Sequence, residues 1–278
     1  MLVIRNNNFL AFVTLFWLIF DIKLIGSLGS SFLTLLICSF LIVVNPRKYY
    51  ENVKNVLSCF SWFFIFYLVL FLYVLIRVTV DGASDLSYLL TMSKTTLILI
   101  SAISYLFVFY NSDIKNNFIN VFFVNACICL FFGTFPENKK FLTPFQYGGD
   151  EVSELLGSNE YRNAFLSGSG YFGISSLYGL AFAFCLKLVV DSKRKIDYFK
   201  LLIIGIAGLF AGRVALVCYG IAILYFVIVK KNLKILFFSI FSFFIFIFII
   251  NTVPSFEGVK LWFDEMFFNK SIGNSESF

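Results

Sequence analysis

Apolar runs of about 20 residues recur along this chain from one end to the other, and no other feature restricts its fold so strongly. In hydrocarbon every backbone N–H and C=O must be paired within the protein, so such runs form helices. Hydrophobic windows fall near residues 9–25, 28–44, 56–76, 92–110, 118–135, 171–190, 199–212, 214–229 and 235–250. They predict an all-α, polytopic integral membrane helical bundle: about nine transmembrane helices in a single membrane domain over residues 1–278. Composition agrees, with 60% hydrophobic and 14% charged residues where a soluble domain averages about 45–50% and about 25%. The first run follows Arg5 like the apolar core of a signal peptide. No small-residue cleavage site follows it, so it reads as an uncleaved first helix. The 40 phenylalanines, beside many Ile, Asn and Lys, fit an AT-rich coding bias and mark no binding site.

In a soluble protein the net charge of +6 would point to nucleic acid or acidic partners. Here the positive-inside rule accounts for it, and no nucleic-acid partner is expected. With the N-terminus in the cytoplasm, thirteen of the 22 basic residues fall inside: Arg5; Arg47, Lys48 and Lys54; Lys115; Lys187, Lys193, Arg194, Lys195 and Lys200; Lys230, Lys231 and Lys234. The opposite orientation inverts that bias, so the N-terminus is placed inside.

The six cysteines, Cys38, Cys59, Cys127, Cys129, Cys185 and Cys218, all lie within apolar runs, and the chain has no histidine. Buried free thiols are expected, with no metal site and no cofactor. Any proton transfer must fall to Asp, Glu, Tyr, Lys or water.

Between Lys200 and Lys230 the sole charge is Arg213. A single helix over 201–229 would put the basic clusters at 193–200 and 230–234 on opposite sides of the membrane, whereas a hairpin puts both inside. The expected hairpin turns at Gly212–Arg213. Arms of about 12 and 16 residues would span roughly 18 and 24 Å against a hydrocarbon core of about 30 Å, so the turn would lie below the outer surface, at the floor of a depression. Two readings of Arg213 stand side by side. In one, its rigid fork of donors clamps a phosphate in a low-dielectric recess, helped by Gly212 and the first amides of the next helix. In the other, it snorkels or pairs with a carboxylate such as Asp81 or Glu160 and fixes the topology.

The long connection 136–170 is external in this arrangement and combines prolines, glycines and mixed charge; loops of that length are functional or disordered. It ends in NEYRNAFLSGSGYFG, residues 159–173. There Arg162 offers a second phosphate or sugar contact, and Ser167 and Gly168 a backbone that a ligand can approach. Ordinary solvated loop chemistry accounts for the same residues and, on the residues alone, is the stronger reading. Lys139 and Lys140 can gather anionic lipid headgroups or serve as plain surface charge. In RVTVDGASDLSYLLTMSK, residues 77–94, Asp81 is a candidate general base among what otherwise read as solvated interfacial charges. Residues 251–278 form an external tail rich in aromatics, expected to be an incomplete second large loop.

Taken together, these features resemble the bacterial O-antigen polymerase family and the related lipid-linked polysaccharide polymerases and ligases. The likeness is carried by RNAFLSGSGYFG before a span, the basic turn SKRKIDYFK, and a short helix ending GLFAGR that is followed at once by another. It covers residues 160–230; elsewhere only the hydropathy matches. Two departures stand out: Arg213 is preceded by Ala-Gly and followed by Val214, where the family favours Gly-Ser and Thr, and the chain ends where relatives continue into a second large loop.

The resemblance implies a multi-pass protein of the bacterial inner membrane that joins undecaprenyl-diphosphate-linked glycan repeat units on the periplasmic face. Arg213 and Arg162 would neutralise the diphosphate, and Glu160 or Asp81 would act as base. Gly212, Ser167, Gly168, Lys139 and Lys140 would contact the lipid-linked substrate. Membrane lipid, a chain-length regulator and a repeat-unit flippase would be partners. A polysaccharide transporter or flippase, or an inactive truncated membrane subunit, are the alternatives.

Overall fold

The computed structural model describes residues 7–25, 28–80, 87–146, 164–166, 172–192, 194–231 and scattered positions between 237 and 260. The described chain is mostly helical, with eight α-helices, and it divides into two compact units, residues 1–117 and 118–278.

In the first unit, α1 (Asn7–Phe20) stops earlier than hydropathy predicts. Asp21 takes a left-handed backbone (φ 41°), and a short antiparallel ribbon follows, β1 (Lys23–Ile25) and β2 (Leu28–Gly29). The apolar run over 9–25 is therefore a helix plus a strand. The reversal is held by polar groups: Asp21 Oδ1 accepts the Ser31 amide at 3.0 Å, and Ser30 Oγ accepts from Ile22 N and donates to Trp17 O, both at 2.8 Å. The Asp21 carboxylate thereby satisfies a first-turn donor of α2 (Ser31–Val44), which would otherwise be orphaned.

Only Asn45 separates α2 from α3 (Pro46–Val80), whose proline sits at the first helical position, where its missing N–H costs nothing. This helix begins ten residues before the expected 56, because Tyr49, Asn52 and Val56 recur at helical spacing and are buried. Asn52 Nδ2 donates to Phe107 O at 3.1 Å near the end of α4 (Ser87–Phe109), and Asn111 donates to Asn52 Oδ1 at 3.2 Å. Near the opposite end of α4, Lys94 Nζ stands 3.8 Å from Asp21 Oδ2.

Asp113 caps α5 (Ile114–Thr134), accepting the Asn116 amide at 3.2 Å. Two 3₁₀ turns, Pro136–Phe141 and Thr143–Phe145, carry the chain away from α5. The second unit continues with α6 (Phe172–Ser192), α7 (Lys195–Ala211) and α8 (Arg213–Lys230). Phe118 meets Phe184 (5.8 Å) and Phe122 meets Tyr178 (4.9 Å), both edge to face, so α5 and α6 run antiparallel. The turn from α6 to α7 is closed by buried Asp197, which accepts from Ser192 Oγ, and Lys200 Nζ ties α7 to Asn120 on α5 at 2.6 Å.

Four described helices, or stretches of them, are long and apolar enough to cross a membrane by length and composition: 46–80, 91–109, 114–134 and 173–192. Shorter apolar helices cover 8–20, 31–44 and 214–229. Of the expected span at 235–250 and the tail at 251–278 only scattered positions are described.

Candidate functional site

The chain reverses at Gly212. In a continuous helix Ile204 and Tyr219 would stand about 22 Å apart along the axis, yet the Tyr219 hydroxyl lies 3.2 Å from the carbonyls of both Ile204 and Gly205. Gly212 makes the corner at φ 150°, ψ 170°, a backbone that L side chains rarely adopt. Its position beside Ser175, where an added Cβ would lie 3.4 Å from Ser175 Cβ and Oγ, seats the turn against the start of α6. The arms are longer than predicted, 17 and 18 residues, because Lys195–Lys200 continue the helix instead of forming a loop. The residues that lengthen the first arm carry Lys195, Asp197 and Lys200, so its apolar part, residues 201–211, is about 16 Å long.

Both arms pack on α6. A Cβ on Gly179 would lie 2.3 Å from Cys218 Cβ, so α6 and α8 touch through a residue with no side chain. The Phe182 and Tyr219 rings lie 4.1 Å apart, and a Cβ on Gly208 would meet Tyr178 Cβ at 3.2 Å.

The same end of this unit receives the described parts of the long connection. Lys139 and Lys140 occupy the last turn of the 3₁₀ segment after α5, Lys140 exposed and Lys139 partly so. Beyond them Leu142 and Gln146 turn inward and are buried. Residues Ala164, Phe165 and Leu166 are buried as well, and they enter between α5 and α6: the Leu166 amide donates to Asn125 Oδ1 at 3.3 Å, and the Phe165 ring lies 5.5 Å from that of Tyr178. Gln146 Nε2 donates to Phe165 O at 2.6 Å, which brings the two ends of the connection together. Asn125 Nδ2 donates to Tyr178 Oη at 3.0 Å. Asn125 precedes the end of α5 by nine residues, so this irregular backbone lies about 13 Å below the helix end. Irregular backbone at such depth is tolerated only where protein or a cavity satisfies it, and here two side-chain amides do so.

Of the sequence candidates, Gly212 and Arg213 lie at this end, Arg213 at the first position of α8, where helix amides and dipole favour an anion. Lys139 and Lys140 share the end. Asp81, Glu160, Arg162, Ser167 and Gly168 lie outside the described residues. Asn125, Gln146, Tyr178 and Ser175 were not singled out by sequence reasoning. Asn125 carried a signal, a lone amide inside VFFVNACICLFF, because a polar side chain within a membrane span marks a functional or structural need. All six cysteines are free, with Cys38, Cys129 and Cys185 buried but Cys59 and Cys127 exposed on apolar helices. Among the described residues no three Cys, Asp or Glu gather as a metal site would require.

No protein-family model matches this chain, and none of the curated proteins or solved structures compared with it is similar.

Proposed function

We propose that the protein is a glycosyltransferase of the O-antigen polymerase type, a multi-pass protein of the bacterial inner membrane with about nine spans and a cytoplasmic N-terminus. It acts on undecaprenyl-diphosphate-linked oligosaccharide repeat units at the periplasmic face. A hydroxyl oxygen of the incoming repeat unit bonds to the reducing-end anomeric carbon of the growing glycan. The bond from that carbon to the phosphate oxygen breaks, and undecaprenyl diphosphate leaves with the electron pair. The hydroxyl proton passes to a carboxylate, Glu160 or Asp81. Arg213, with Arg162, holds the diphosphate as negative charge develops on it, an electrostatic contribution made by pre-placed donors. Lys139 and Lys140 gather the lipid headgroup, and Gly212, Ser167 and Gly168 allow close backbone approach. A repeat-unit flippase supplies the substrate and a chain-length regulator limits the product.

The observation that carries this reading is the reversal at Gly212–Arg213 at the same helix end that receives both described ends of the long connection. A transporter would break its helices near the midplane and continue them across the membrane. A chain that turns back on itself supports a site that receives lipid-linked substrate from one side.

The test is a polysaccharide ladder. The 278-residue chain and its Arg213→Ala variant, at matched membrane level, are expressed in a polymerase-deficient strain that makes the cognate repeat unit. A ladder that collapses to a single repeat in the variant is expected. Ladders from both overturn the anion clamp, and a ladder from neither overturns polymerase activity for this chain.

A further inference from the structure

The hydrogen bonds that hold residues 164–166 have a fixed direction. A backbone N–H can only donate, so Asn125 must present Oδ1 to Leu166; its Nδ2 then faces Tyr178, whose oxygen must accept. Asn125 and Tyr178 are both 0% exposed. Joining α5 to α6 does not require this pair, since apolar side chains of similar size would fill the space without the cost of desolvating an amide. What the amide adds is a partner for a non-helical N–H deep between two helices.

Tyr178 links this anchor to the hairpin. Its ring meets Phe122 edge to face at 86°, and Phe165 approaches at 67°. Its Cβ lies against Gly208, four residues before Gly212, and one turn back along α6 Ser175 stands beside Gly212 itself. The buried segment 164–166 and the last turn of α7 therefore rest on the same side chain.

We infer that Asn125 and Tyr178 are positioning residues: through Tyr178 they hold the 164–166 backbone and the Gly212–Arg213 turn in one register. Their effect on activity rests on the polymerase reading above, whereas their effect on the turn does not. Neither residue touches substrate.

The experiment compares the full chain with its Asn125→Leu and Tyr178→Phe variants in lipid nanodiscs by amide hydrogen exchange, alongside ladder synthesis at varied concentration of lipid-linked repeat unit. In Asn125→Leu the Leu166 amide loses its acceptor, and its exchange rises about tenfold, as expected for the loss of one buried hydrogen bond. The Gly212 amide, bonded to Gly208 O in the native protein, accelerates with it, while the Asp197 amide at the far end of α7 keeps its rate. Tyr178→Phe gives a smaller change of the same pattern. Ladder synthesis falls in kcat with KM unchanged. Acceleration at Leu166 alone overturns the inference, because the anchor would then hold the connection without positioning the turn. Acceleration at Asp197 as well overturns it in favour of general destabilisation. If the parent chain makes no ladder the polymerase reading fails, and the paired exchange at Leu166 and Gly212 still decides whether the two elements are coupled.

Discussion

Helices α3 and α6 are both apolar enough to cross a membrane, yet they meet opposite surroundings. The most apolar window of α3 has none of its residues buried, and that of α6 has half of them buried. Past Val56, α3 turns side chains such as Trp62 and Phe66 outward (82% and 70% exposed), while α6 is enclosed by α5, α7, α8 and the returning segment 164–166. Hydropathy reports that a helix can live in lipid and says little about whether lipid or protein covers it. Small and polar residues mark the difference: α6 has Gly179 against Cys218 and Tyr178 against Asn125, the features by which membrane helices associate where apolar burial gives no drive.

That contrast can be broken by substitution. Gly179→Val should have the largest effect, because the new side chain overlaps Cys218 Cβ and no rotamer relieves it. A loss of about 3 kcal/mol is expected, read as a lower unfolding midpoint in nanodiscs with faster thiol labelling of Cys218. Next comes Gly212→Ala, which forces a side chain into φ 150° and should cost about 2 kcal/mol, measured in the same way. Smallest is Trp62→Leu on the outer face of α3, where a change within about 0.5 kcal/mol is expected. A large loss at Trp62 would mean that protein, not lipid, covers that face, and the contrast between the two helices would fall.

Much of the helical layout was legible in the residues. Runs at 92–110, 118–135, 171–190 and 214–229 became helices with ends displaced by at most five residues, and the break between α7 and α8 falls where the charge pattern placed it. Two features were not legible, for opposite reasons. The ribbon after Phe20 hid inside an apolar run, since Leu24 and Ile25 suit helix and strand alike; the deciding bonds run from Asp21 to Ser31 and from Ser30 to Trp17, contacts that periodicity does not report. The first three turns of α3 hid inside a charged stretch, where Tyr49, Asn52 and Val56 carry the helical period beneath Arg47, Lys48, Glu51 and Lys54. At the site, Gly212 could be read because its neighbours are apolar and its position is a corner. Asn125 showed only as a lone amide in an apolar run and Gln146 not at all, since their partners are backbone groups at 166 and 165, whose burial depends on how the long connection returns.

The paired helices at the start of the chain have a consequence for how the protein is made. At 14 residues each, α1 and α2 are about 21 Å long, short for a bilayer. Hydroxyl groups of the second cross to carbonyls of the first: Thr34 Oγ1 donates to Thr14 O at 3.0 Å, and Ser30 Oγ donates to Trp17 O. A nascent α1 released sideways into lipid by itself would gain little from its short apolar length, and it would leave Asp21 at its end without the amide of Ser31. The two short helices are therefore suited to enter a bilayer together as one hairpin, each covering polar groups at the turn between them.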